Sequence, residues 1–114
     1  MKYIKKYEKI NNKLEIGDYV VLNDTTYTYN SDFSVFSNFL NNNVGRISDI
    51  KLRVTGNVYD IDYFNVPTDL RSYFSMNKNT GTLYGMSTPE DEIVFSSKNK
   101  NDAELFIQTN KYNL

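Results

Sequence analysis

Tyr59-Asp60-Ile61-Asp62-Tyr63 alternates apolar and charged side chains over five positions. In an extended chain that alternation sends Tyr59, Ile61 and Tyr63 to one face and both aspartates to the other. It predicts a strand with one buried and one wet face. Just upstream, Thr55-Gly56-Asn57 turns the chain. Before that turn, Val44-Gly45-Arg46-Ile47 and then Ile50, Leu52 and Val54 keep a period of two with a slip near Ser48-Asp49, which predicts a bulged strand.

Working outward, Gly17-Asp18 opens Tyr19-Val20-Val21-Leu22, a first strand closed by Asn23-Asp24. Between these strands lies a long polar and aromatic loop. Within it Phe33, Phe36, Phe39 and Leu40 follow the N-cap pair Ser31-Asp32 at helical spacing, which predicts a short inserted helix. Downstream, Pro67 breaks the ladder and Thr68 to Phe74 reads as a single helical turn. Thr82-Leu83-Tyr84 and Glu92-Ile93-Val94-Phe95 predict two more strands, separated by a loop around Ser87-Thr88-Pro89-Glu90. At the two ends, Tyr3, Tyr7, Ile10 and Leu14 share one helical stripe, and Asn101-Asp102-Ala103-Glu104 starts a helix over about 101–110.

The chain has 114 residues, room for one domain. Zero cysteines exclude disulfides, thiolate metal sites and a cysteine nucleophile, and zero histidines remove the commonest general acid-base residue. A non-enzyme with no cofactor is the expectation. The net charge of −1 gives no overall field for a phosphate backbone. Charge is nevertheless uneven: residues 1–13 carry +4 and residues 57–96 carry −4. No apolar run approaches the roughly 18 residues of a spanning helix, and the amino terminus is charged, so a cytoplasmic protein without a membrane partner is expected. Sixteen asparagines with abundant Lys, Ile and Tyr are the usage of an AT-rich coding sequence, as in low-GC bacteria and their phages.

The order Gly17-Asp18-Tyr19-Val20-Val21, Val44-Gly45-Arg46-Ile47, Tyr59-Asp60-Ile61-Asp62-Tyr63, Glu92-Ile93-Val94-Phe95 resembles the strand pattern of SH3-like small β-barrels, including KOW-type and Tudor-type domains. The resemblance covers roughly residues 15–96. It implies a mainly β fold: an SH3-like barrel of about five strands with short amino- and carboxy-terminal helices, one domain over residues 1–114. It also implies that the loop after the first strand borders a peptide groove. Two departures stand out. The loops carry fewer basic residues than a KOW-type nucleic-acid binder has, and the aromatic insertion is long.

Tyr27, Tyr29, Phe33 and Phe36 crowd that loop, and such rings supply large contact area at low rotamer cost in recognition surfaces. Closing a small core is the competing use of the same rings. Tyr73, after Pro67, is expected to face the same groove, whereas Phe74 fits a core position equally well. The first expectation is therefore a non-catalytic module that binds a protein partner, in the manner of a phage or mobile-element accessory protein that modulates or inhibits host machinery. The alternative is a KOW-like nucleic-acid binder using Lys2, Lys5, Lys6 and Lys9 with Arg46, Lys51 and Arg53. Asp49, Asp60 and Asp62 could ligate a hard cation, but a solvated strand face explains them without one. Glu90-Asp91-Glu92 behind Thr88-Pro89 reads as the opening of a helical turn with its carboxylates near the positive end.

Overall fold

A computed structural model describes residues 13–23 and 31–112. It contains six strands: β1 (Tyr19–Leu22), β2 (Gly45–Lys51), β3 (Val58–Tyr63), β4 (Met76–Asn77), β5 (Tyr84–Pro89) and β6 (Ile93–Ser97). Every pairing is antiparallel, and the order across the sheet is β4-β5-β3-β2-β1-β6. Two helices, α1 (Ser31–Asn41) and α2 (Lys100–Tyr112), and two 3₁₀ turns, Thr68–Tyr73 and Glu90–Glu92, complete it. Among the described residues no ladder joins β4 to β6. The sheet thus runs open from edge to edge and is not closed into a barrel, where the resemblance led to an SH3-like barrel. The expected helix over Tyr3 to Leu14 falls mostly outside the described residues.

The apolar face follows from the alternation in β3. Tyr59, Ile61 and Tyr63 are buried, and their ladder neighbours Ile47 on β2 and Thr88 on β5 are buried beside them. Val20 and Leu22 of β1 and Ile93 of β6 extend the same layer, which α1 covers with Phe36 and Leu40 and the 3₁₀ turn covers with Leu70. The strand parity of Val21 and Phe95 is opposite, and they pack with Ala103 and Ile107 of α2 in a second cluster. Each helix therefore closes one face of the sheet.

β2 carries the expected bulge: its register against β3 shifts between Ile47 and Asp49. It ends at Lys51, so Leu52 and Val54, which continue the alternating pattern, are exposed instead of paired. β5 is the largest departure. It runs through Gly85, Ser87 and Thr88 to Pro89, residues that read as a loop, because six consecutive register pairs with β3 outweigh weak local propensity. Pro89 sits at the end of that strand, where a missing N–H is tolerated, and leads into the short 3₁₀ turn expected of Pro89-Glu90. β4 is a two-residue edge strand with no counterpart in the sequence pattern.

The start of β1 is fastened to the end of β6. The Glu15 amide donates to Asp18 Oδ2 at 3.0 Å, and Lys98 Nζ donates to Asp18 Oδ1 at 2.6 Å and to Glu15 Oε1. Asp18 is 4% exposed, so its charge needs these partners. Hydrogen bonds to Asp18 and then Glu15 raise the Lys98 pKa above its ordinary value.

Candidate partner-binding surface

Phe74 is the hub of an aromatic cluster assembled from four separate segments. Its ring meets Phe36 of α1 edge-on at 5.0 Å, Tyr63 of β3 at 5.9 Å, and Phe39 of α1 and Tyr84 of β5 at 6.2 Å each. Tyr73 stacks on Phe36 at 5.5 Å, and the Arg71 guanidinium lies 5.6 Å from the Tyr84 ring centre. Phe36, Tyr63 and Phe74 are buried, whereas Phe39, Tyr73 and Tyr84 are only half-buried. The result is a rigid base of rings with an aromatic rim and a cation. Arg71 is itself braced, since its Nε donates to the Val66 carbonyl at 3.0 Å.

Of the five aromatic residues singled out from sequence, the structure brings Phe36 and Tyr73 together. Phe36 lies in the core and supports the surface from beneath; Tyr73 contributes a face to it. Phe33 belongs to α1, but its side chain, like the whole of Tyr27 and Tyr29, lies outside the described residues. Phe39, the last aromatic of the expected loop, completes the rim with Tyr84 and Arg71, and those two were not singled out. Tyr84 and Arg71 offer no signal in the sequence, because only the pairing of β5 with β3 and the Thr68–Tyr73 turn make them neighbours.

The opposite face of β2, β3 and β5 is ionic. Arg46 is exposed across the ladder from Asp62; Lys51 Nζ donates to Asp60 Oδ2 at 3.0 Å, and Lys78 Nζ lies 3.3 Å from Asp62 Oδ1. The Ser87 hydroxyl adds a hydrogen bond to Asp60 Oδ1 at 2.8 Å. Asp60 is buried, so the predicted wet face is partly covered. Lys51 is committed to a carboxylate, Arg53 stands exposed beyond the end of β2, and Lys2, Lys5, Lys6 and Lys9 are outside the described residues. Among the described residues no group of three acidic side chains gathers as a metal site. Asp49 instead accepts from the Ile50 amide at 2.9 Å. The carboxylates of Glu90 and Glu92 accept from the Tyr59 hydroxyl at 3.0 Å and the Thr88 hydroxyl at 3.1 Å, binding the 3₁₀ turn to the sheet.

Asp60 makes folding sensitive to acid. Burial alone raises a carboxyl pKa, but the Lys51 and Ser87 hydrogen bonds outweigh it and hold Asp60 below its ordinary value. The unfolded chain therefore takes up this proton first as pH falls. The stabilisation is complete above the ordinary carboxylate range near pH 4 and is lost between there and the lower native value. Asp60→Asn is expected to cost about 1–2 kcal/mol at pH 6, because Lys51 is 45% exposed and partly screened. Urea titrations at pH 6 and pH 3 check it: the gap between the two proteins narrows at pH 3, and a gap that stays constant refutes the assignment.

No protein-family model, no curated protein and no solved structure matches the chain.

Proposed function

We propose that this chain is a non-catalytic binding module that acts in the cytoplasm by docking a protein partner against the rim formed by Phe39, Tyr73, Tyr84 and Arg71. The observation that supports it is the convergence of half-buried rings and one guanidinium on a buried aromatic base. Aromatic residues and arginine are enriched where protein partners bind, and rings already immobilised from below lose little entropy on contact. The long insertion before β2 serves this reading directly, since α1 brings both Phe36 and Phe39 to the cluster.

An SH3-like relationship remains part of the proposal. It is supported by the connectivity: β1 lies between β2 and β6, β2-β3-β5 run side by side, and a 3₁₀ turn leads from β5 into β6. Amino-acid usage of the kind an AT-rich coding sequence gives, with sixteen asparagines, and small size fit an accessory protein of phage or mobile-element origin that modulates host machinery. Among the described residues no helix is long and apolar enough to cross a membrane.

The test is capture from a low-GC bacterial lysate with the tagged full chain, with and without nuclease, beside Tyr73→Ala and Tyr84→Ala. A partner that survives nuclease and falls by about tenfold or more in both variants is the expected result, a loss of about 1.4 kcal/mol. Recovery of nuclease-sensitive material alone overturns the proposal in favour of nucleic acid. A protein retained equally by both variants removes the rim as its site.

A further inference from the structure

We infer that the groove between the end of α1, the exit of β3 and α2 binds a neutral saccharide. Asn43, Phe64, Asn65, Lys100, Glu104 and Gln108 contribute to its lining, and it encloses about 500 Å³. That falls inside the size range of small-molecule sites, about 300–1,000 Å³. The groove is separate from the aromatic rim and independent of the partner-binding reading.

Its one ring is displayed by the backbone. β3 ends at Tyr63, and Phe64 continues the alternation onto the face where α2 lies, remaining 45% exposed. Asn65 then adopts a left-handed conformation, φ 57°, and the next amide, that of Val66, donates to the Thr82 carbonyl at 3.1 Å to return the chain to the core. Asparagine is among the non-glycine residues that adopt this conformation most readily, so the turn out of β3 is a favourable one. A large apolar ring left in water beside a concavity matches the C–H face of a pyranose.

The polar groups around the ring are chiefly amides, which donate and accept without carrying charge. Asn43 is fixed in place, its Nδ2 donating to the Phe39 carbonyl at 2.8 Å, so its orientation is set before any ligand arrives. Among the described residues of the lining the charges are those of Lys100 and Glu104, which stand one helical turn apart with Nζ and Oε2 separated by 3.9 Å and cancel. The pair leaves no net charge in the lining to favour an anion over a neutral ligand. Two adjacent hydroxyls suit the pair, one donating to the carboxylate and one accepting from the ammonium. One ring face, several amides and a balanced ion pair are together the chemistry of a neutral, polyhydroxylated ring.

The chain contains no tryptophan, so Phe64→Trp places a single indole in the groove. Titrating that variant with cellohexaose, maltohexaose and chitohexaose is expected to give a saturable emission change with at least one. With the same sugar, the wild-type amide resonances of Asn65 and Glu104 shift. Phe64→Ala and Glu104→Gln each weaken binding about tenfold or more, while both proteins stay folded, Phe64→Ala with a modestly lowered melting temperature because its ring is half-covered. Tyr73→Ala leaves the titration unchanged. Absence of saturation with all three sugars to low millimolar, or unaltered affinity in Phe64→Ala, overturns the inference. Saturable binding of adenosine without any oligosaccharide makes the groove a nucleobase site and overturns it equally.

Discussion

Gly45→Ala is expected to lower the unfolding free energy by about 3 kcal/mol, because it adds one methyl group where the core has no room. A Cβ at this position would stand 2.4 Å from Ile61 Cγ2 and 2.9 Å from Tyr63 Cζ. Neither neighbour can retreat. Ile61 and Tyr63 are fully buried on β3, which is held by ladders to β2 on one side and β5 on the other. The cost arises from packing and not from backbone conformation, since only Gly17, Gly56 and Gly81 among the glycines have positive φ. Gly56→Ala separates the two causes. That site has φ +124° and nothing within 4 Å of a new Cβ, so it carries strain alone, about 1–3 kcal/mol. Urea unfolding of Gly45→Ala, Ile61→Ala and the double variant decides the mechanism. Removing Cγ2 relieves the clash, so the double variant is less destabilised than the sum of the singles by more than about 0.5 kcal/mol. Simple additivity, or a Gly45→Ala protein as stable as wild type, would show that β2 does not press on Ile61.

The same contact explains which parts of the fold were legible in the sequence. β3 declares itself because its alternation is strict and because a sheet at its centre buries every second residue. The bulge in β2 is equally visible, since Ile47 and Ile50 are out of step by one and both must face inward. β5 is hidden for the converse reason. Gly85 has no side chain to pattern, and the space beside it is tight: a Cβ would meet Asp62 Oδ1 at 3.0 Å. Ser87 has weak β propensity and serves by a hydrogen bond to Asp60, and Thr88, a good strand residue, is hidden between Ser87 and Pro89 while its hydroxyl donates to Glu92. Leu52 and Val54 mislead in the opposite sense, prolonging an alternating pattern past the last rung of the ladder, where they are 78% and 105% exposed. Periodicity reports which side chains are apolar; pairing depends on a neighbour that the local sequence does not specify.

The site is less legible than the fold, and Tyr73-Phe74 shows why. Two adjacent aromatics at the end of one 3₁₀ turn look alike in sequence. The turn spanning Thr68–Tyr73 ends with the Phe74 amide donating to the Arg71 carbonyl at 3.2 Å and Phe74 in extended backbone. That change of conformation sends Phe74 inward, 8% exposed, and leaves Tyr73 lying half-buried on Phe36. Charges show the same dependence: Asp60 and Asp62 alternate like a solvated face, yet Lys51 and Lys78 reach across to them from neighbouring segments.

Phe74→Ala is accordingly the change expected to do most damage, about 4 kcal/mol. Four rings within about 6 Å lose their common neighbour, and edge and tilted aromatic pairs add about 0.5–1.5 kcal/mol each beyond simple burial. Set against the roughly 5–15 kcal/mol that holds a domain of this size folded, the loss leaves the variant marginal at 25 °C. Tyr73→Ala provides the contrast, because it deletes a half-exposed ring and leaves no enclosed cavity; about 1 kcal/mol is expected. Urea midpoints, with the slope compared to confirm that both proteins unfold alike, give the two values. A cost for Phe74→Ala no larger than that of Tyr73→Ala would mean that the cluster has no hub. Phe74→Leu then separates stability from recognition. It restores most of the buried volume and hence most of the stability, but a branched aliphatic side chain cannot reproduce the edge and tilted ring contacts that orient Phe39 and Tyr84. If the rim binds a partner as a preorganised surface, the leucine variant folds well and still captures less of it. A variant that recovers stability and binding together would show that the rings need only volume beneath them.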